Sequence, residues 1–192
     1  MCIHFCLDVH TMDVYNSMVF DTFYAFFRVF KDKAFRAAAF GYFGHMWELY
    51  TFWAFVPIML VTYQKAHPDA AMNSPLLTFF IIGLGGIACV IAGYIAQRWG
   101  TKRTAFMALL LSCICCIFSP LFFGLNSIYL FIGFLFLWGM VVVADSPLFS
   151  TLVAQNAKSE IKGTALTIVN SLGFAITIIS LQLVNFLQNY IS

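Results

Sequence analysis

Five apolar stretches, roughly residues 35–62, 75–97, 104–123, 126–154 and 164–188, leave this chain few ways to fold. Each approaches or exceeds the roughly 20 residues a helix needs to cross a hydrocarbon core of about 30 Å. The links between them are short and polar. Pro68, Asp69, Asn73, Ser74 and Pro75 mark the first turn, and Gly124, Leu125 and Asn126 mark the third. Only 9% of the residues are charged, while 62% are hydrophobic. A soluble domain is about one quarter charged, so this chain could not cover its surface with water-compatible groups. The expected fold class is all-α, a polytopic membrane helical bundle of about five transmembrane helices, with residues 35–192 forming the bundle.

Residues 1–34 read as a cytoplasmic or interfacial lead-in. Asp8, His10 and Asp13 interrupt any apolar core, so they do not make a signal peptide. From Phe23 to Phe35, aromatic residues alternate with Arg28, Lys31 and Lys33, the composition of a helix lying on a membrane surface.

The cations sort by side. Arg28, Lys31, Lys33 and Arg36 precede the first span; Arg98, Lys102 and Arg103 fall between the second and third; Lys158 and Lys162 fall between the fourth and fifth. Lys65 alone falls on the opposite side if every span crosses. The positive-inside rule then predicts a cytoplasmic N-terminus in a multi-pass protein of the cell membrane, with a bacterial inner membrane as the expected setting.

Ionisable groups at membrane depth cost a few kcal/mol, on the scale of roughly 2.5 to 3.5 for insertion, and must face protein or water. The first span carries two, His45 and Glu48, three residues apart on one helix face. Such a pair can bind and release a proton, or can merely fix helix packing. Tyr42, Tyr50 and Trp53 add aromatic surface with polar tips to the same helix. The fourth span contains Asp145, with Pro147 two residues later to bend or break the helix. A carboxylate there can serve a gate, pairing with a base from either cytoplasmic loop, or can cap the following helical piece. The fifth span carries Thr167, Asn170, Thr177, Asn185 and Gln188 within about 80° of helical arc, a stripe fitted to a wet cavity or to a neighbouring helix. Gly85, Cys89 and Gly93 repeat small residues at four-residue spacing in the second span, which lets another helix approach.

Enzymatic chemistry finds no support. No Gly-x-Ser-x-Gly and no phosphate-cradling loop in a wet setting occurs, and no Cys/His spacing matches a metal site. The six cysteines read as small packing residues, so no cofactor and no metal is expected. No basic, aromatic-interleaved patch points to nucleic acid.

Gly93, Gln97, Arg98, Gly100, Lys102 and Arg103 together resemble the major facilitator superfamily signature Gly-x-x-x-Asp-Arg-x-Gly-Arg-Arg/Lys, with Gln97 in place of the acid. The run from Ser159 to Ala165 is similar to the family's loop after the fourth helix of a half. The run from Gly41 to Tyr50, after a basic linker, is similar to the first helix of a C-terminal half. This resemblance implies half of a major-facilitator-type fold, with the five spans corresponding to helices seven to eleven of twelve. It implies part of a secondary transporter that moves a small solute by alternating access, coupled to protons, and that needs a second six-helix half or another copy. His45, Glu48, Tyr42, Trp53, Thr167, Asn170 and Thr177 are the expected substrate or proton pathway. Gly93, Arg98, Gly100, Lys102, Arg103, Asp145 and Pro147 are the expected gating and cytoplasmic-motif residues. A small polar solute or an organic anion fits these groups. The competing expectation is a truncated membrane protein that does not transport and whose polar residues serve structure or assembly.

Overall fold

The computed structural model describes residues 30–69 and 72–191. The expected surface helix of the lead-in, with Arg28, and the cysteines Cys2 and Cys6 lie outside the described residues. Every regular element described is helical: α1 (Lys33–Ala66), α2 (Ser74–Gly83), α3 (Gly85–Trp99), α4 (Thr101–Phe123), α5 (Ile128–Ala144), α6 (Ser146–Asn156), a 3-10 turn (Ser159–Ile161) and α7 (Lys162–Ile191). The pairs α2–α3 and α5–α6 each act as one crossing. The fold is therefore five helical passes, as the apolar stretches predict.

Four passes, Ser74–Trp99, Thr101–Phe123, Ile128–Asn156 and Ser159–Tyr190, are long and apolar enough to cross a membrane. At 34 residues, α1 has ample length. Its polar residues, His45 and Glu48 among them, hold its hydropathy below that of the others. Large apolar side chains such as Phe79, Val90, Ile117 and Leu121 face outward. In water such a surface would aggregate; in lipid it is the expected solvent-facing layer.

The helix ends follow local rules. Asp32 caps α1 by accepting from the backbone N–H of Ala34 (2.8 Å) and Phe35 (2.9 Å). Asn73 caps α2 through the Leu76 N–H at 3.1 Å, with proline in the first turn where no N–H is needed. The reversal between α3 and α4 turns on Gly100, at φ +86°, a conformation open to glycine and costly for other residues. Its N–H reaches the Ala96 carbonyl and its carbonyl receives the Thr104 N–H, so the turn closes one helix and starts the next.

The passes alternate in direction. Near one end, Ala34 and Ala37 of α1, Lys102 of α4 and Asn156 of α6 line one cavity. At the other end, the Tyr63 hydroxyl donates to the Leu125 carbonyl (2.7 Å), and the His67 ring lies 3.1 Å from the Asn126 side chain. Lys33, Arg36, Arg98, Lys102, Arg103, Lys158 and Lys162 thus gather at the ends of helices that meet on one side of the bundle, here called the basic end.

Two apolar clusters fill the interior. Phe35, Ala39, Tyr42, Met46, Ala92, Leu148, Phe149 and Val169 pack toward the basic end. Leu49, Phe52, Val56, Leu60, Ile81, Phe131, Leu135, Trp138 and Val142 pack toward the other. The two broken passes lie against each other where the clusters meet. A Cβ on Gly85 would sit 2.8 Å from the Val143 side chain, and one on Gly139 would sit 2.8 Å from the Ile81 carbonyl oxygen. The Cys89 thiol donates to the Val143 carbonyl at 3.3 Å. The stripe of small residues thus brings α3 onto α5 at Gly85 and Cys89, while Gly93 faces open space.

Candidate functional site

At the seam between the two clusters sits a buried histidine–aspartate pair. His45 Nδ1 of α1 lies 2.8 Å from Asp145 Oδ1, and each residue is 1% exposed. Asp145 occupies the junction between α5 and α6, with φ −87° and ψ −9°. Its backbone carbonyl receives the N–H groups of Leu148 and Phe149 and so starts α6. Its side chain makes no cap, which leaves the carboxylate to His45. Pro147 falls in the first turn of α6, where its missing N–H costs nothing. The helix break is therefore what turns the Asp145 carboxylate across to α1.

The contact has the distance of an ion pair without the alignment of a hydrogen bond. Asp145 Oδ1 and His45 Nε2 are left without a hydrogen-bond partner among the described residues. Phe149 and Tyr42 flank the imidazole, with ring centroids 6.1 and 6.3 Å away. Buried polar atoms left incomplete in this way are expensive, and they persist where a fold has a use for them.

Glu48 takes a different partner from the one its spacing suggests. Although it shares a helix face with His45, its carboxylate accepts from the Ser112 hydroxyl of α4 at 2.5 Å. The Trp138 indole of α5 approaches the same carboxylate, but its N–H is not aligned for a hydrogen bond. His45 and Asp145 remain within electrostatic reach of Glu48. Three ionisable groups thus share one neighbourhood at the centre of the bundle, held by α1, α4 and the α5–α6 break. Glu48 also opens on a cavity of about 400 Å³ between α1, α4, α5 and α7, whose lining includes Trp47, Thr51, Trp138 and Gln188.

A second cavity, of about 320 Å³, lies toward the basic end between α1, α6 and α7. Tyr42, Ser150, Thr167, Asn170 and Ser171 line it. The Tyr42 hydroxyl donates to Asn170 Oδ1 at 2.5 Å across its wall. The structure therefore brings together Tyr42, Thr167 and Asn170, and separately His45, Glu48 and Asp145. Thr177 belongs to neither group: its hydroxyl bonds its own helix at the Phe174 carbonyl (2.7 Å). Trp53 lines neither cavity and packs edge-on to Tyr50, with centroids 5.5 Å apart.

The expected motif residues Arg98, Lys102 and Arg103 lie exposed around the Gly100 turn. Among the described residues no carboxylate stands within ion-pair distance of any of them. In particular, Asp145 pairs with His45 and not with a base from the Arg98–Arg103 or Lys158–Lys162 loops. Ser112 and Trp138 are site residues that sequence reasoning missed. The signal for Ser112 was a hydroxyl at the middle of a largely apolar span; nothing in the sequence pointed Trp138 at a carboxylate.

No metal-binding group of three His, Cys, Asp or Glu side chains occurs among the described residues. The family model of the Major Facilitator Superfamily matches residues 14–181. No curated protein and no solved structure matches the chain.

Proposed function

From the premise that the chain belongs to the Major Facilitator Superfamily, a family of secondary transporters and not of enzymes, we propose that it forms the C-terminal half of a proton-coupled transporter of a small solute. The observation that carries this reading is the His45–Asp145 pair, 2.8 Å apart and buried, with Glu48 beside it. A proton gained or lost at this cluster changes the attraction between α1 and the α5–α6 break. That couples protonation to the angle between helices, which is what alternating access requires. The Tyr42–Asn170 cavity supplies hydrogen-bonding groups for a solute at the basic end.

In this reading the basic end faces the cytoplasm of a bacterial cell, because Lys and Arg concentrate there. Thr167 and Asn170 are exposed on α7 at the edge of the polar cavity, where lipid is a poor neighbour. A second six-helix half, or another copy of the chain, would cover them and complete the path.

The test is gradient-driven uptake in vesicles holding the protein with its second half, screened over a panel of solutes with an internal pH dye. Glu48→Gln and Asp145→Asn should abolish proton-driven accumulation while leaving solute exchange at equal pH. If both variants accumulate solute and move protons like the parent, the cluster has no part in coupling.

One observation favours a second reading, a structural role without transport. Glu48 and Asn170 each find a partner inside the bundle, in Ser112 and Tyr42. On that reading no solute in the panel is accumulated, and the same substitutions lower stability alone.

A further inference from the structure

An apolar groove of about 380 Å³ runs along the outside of the bundle between α3, α4 and α5. Its floor is made of small side chains, Ala88, Ala92, Ala108 and Ala144, and its walls of larger ones such as Ile95 and Leu111. It begins at the Gly100 turn, at Trp99 and Thr104, and rises along α3 to Ala88. From Trp99 to Ala88 a helix climbs about 16 Å, which is close to the depth of one leaflet of a hydrocarbon core of about 30 Å.

Helix register brings two arginines to the Gly100 end of the groove. Arg98 stands three and seven residues from Ile95 and Ile91, both of which line the groove, so it tops that row of side chains. Arg103 stands four residues before Met107 and tops the facing row on α4. Both arginines are exposed, and among the described residues neither has a carboxylate within ion-pair distance. Trp99, 68% exposed, lines the groove next to Arg98 in sequence, at the end where an aromatic residue suits a membrane–water interface. Lys102 belongs elsewhere: it lines the separate cavity against α1 and α6.

We propose that this groove binds one anionic phospholipid, its acyl chain on the alanine floor and its phosphate between Arg98 and Arg103. Two guanidinium groups suit a phosphate, which they can grip through paired hydrogen bonds, and their net charge selects an anionic over a zwitterionic headgroup. Small floor residues let the chain sink below the surface that ordinary boundary lipid would cover. The site is independent of the transport reading, since it lies on the outer face and uses none of the ionisable cluster.

Native mass spectrometry of the full chain, released from micelles containing phosphatidylglycerol or phosphatidylcholine, tests this directly. The parent should retain one phosphatidylglycerol in preference to phosphatidylcholine. Arg98→Gln and Arg103→Gln should each cut that preference about fivefold, the equivalent of roughly 1 kcal/mol per cation near an anionic surface. Lys102→Gln removes the same charge from the same turn but not from the groove, and should change the preference less than twofold. Ala108→Phe, which fills the floor, should abolish the retained lipid. Should that variant fold poorly, Ile91→Trp narrows the groove from its exposed wall to the same end. The site is overturned if Lys102→Gln acts as strongly as the arginine variants, which would mean generic surface charge, or if filling the groove leaves retention unchanged.

Discussion

Asp145 reaches His45 because the fourth pass is broken at its own backbone. The carbonyl of Asp145 starts α6 through Leu148 and Phe149, while the carboxylate crosses to the α1 imidazole at 2.8 Å. One residue therefore carries both the discontinuity of a helix and the buried charge that ties it to another helix.

Removing either member of the pair should be costly. His45→Ala or Asp145→Ala leaves an uncompensated polar group in the interior, and breaking a buried pair from one side costs about 3–5 kcal/mol. The double variant His45→Ala/Asp145→Ala should lose markedly less than the sum of the two. Unfolding in mixed micelles with increasing denaturing detergent measures all three. Strict additivity would show that the two side chains do not interact.

The contact between Tyr42 and Asn170 is a smaller matter. Tyr42→Phe should cost about 0.6 kcal/mol, and no more than about 1.7, the range for interhelical hydrogen bonds inside membranes. Asn170→Ala in the Tyr42→Phe background should add little. A loss of several kcal/mol from Tyr42→Phe would mean that the hydroxyl holds more than this one bond.

Glycine substitutions should divide by environment. Gly139→Ala places a Cβ 2.8 Å from the Ile81 backbone oxygen, so α2 and α5 must part. The expected cost is about 1–3 kcal/mol, as for other overpacked sites. Gly133 lies on the same helix with nothing within 4 Å of its Cβ position. Gly133→Ala should leave stability unchanged or raise it by up to about 1 kcal/mol through helix propensity. The same detergent titration reads both, and equal effects would remove the close approach of the two passes.

Alternating passes make a labelling pattern. On a background without other reactive cysteines, Asn73→Cys and Thr101→Cys should react with an impermeant maleimide from opposite sides of the membrane. With the basic end in the cytoplasm, Asn73→Cys labels in intact cells and Thr101→Cys only after lysis. Labelling of both from one side would mean that the α2–α3 pass does not cross.

The five passes were legible because lipid demands long apolar helices, and little else in a sequence imitates them. The α5–α6 break was legible too, since Pro147 announces it. The break at Leu84 was not: Gly85, Cys89 and Gly93 read as a packing stripe on a continuous helix, and only the press of Val143 on Gly85 shows where that stripe meets its neighbour. The candidate site was half legible. His45, Glu48 and Asp145 stand out as ionisable groups in apolar runs, whatever the fold. Their pairing was hidden, because helix periodicity joins neighbours such as His45 and Glu48, while the partners that matter, Asp145 and Ser112, come from other helices.

The position of the two breaks has a mechanical consequence. Val143 precedes the Asp145 break by two residues and bears on Gly85, the first residue after the Leu84 break. The Cys89 thiol grips the same Val143 carbonyl. Neither pass can flex at its break without displacing the other, so the two discontinuities form one joint. His45 meets that joint on its Asp145 side, so α1 holds a latch on it.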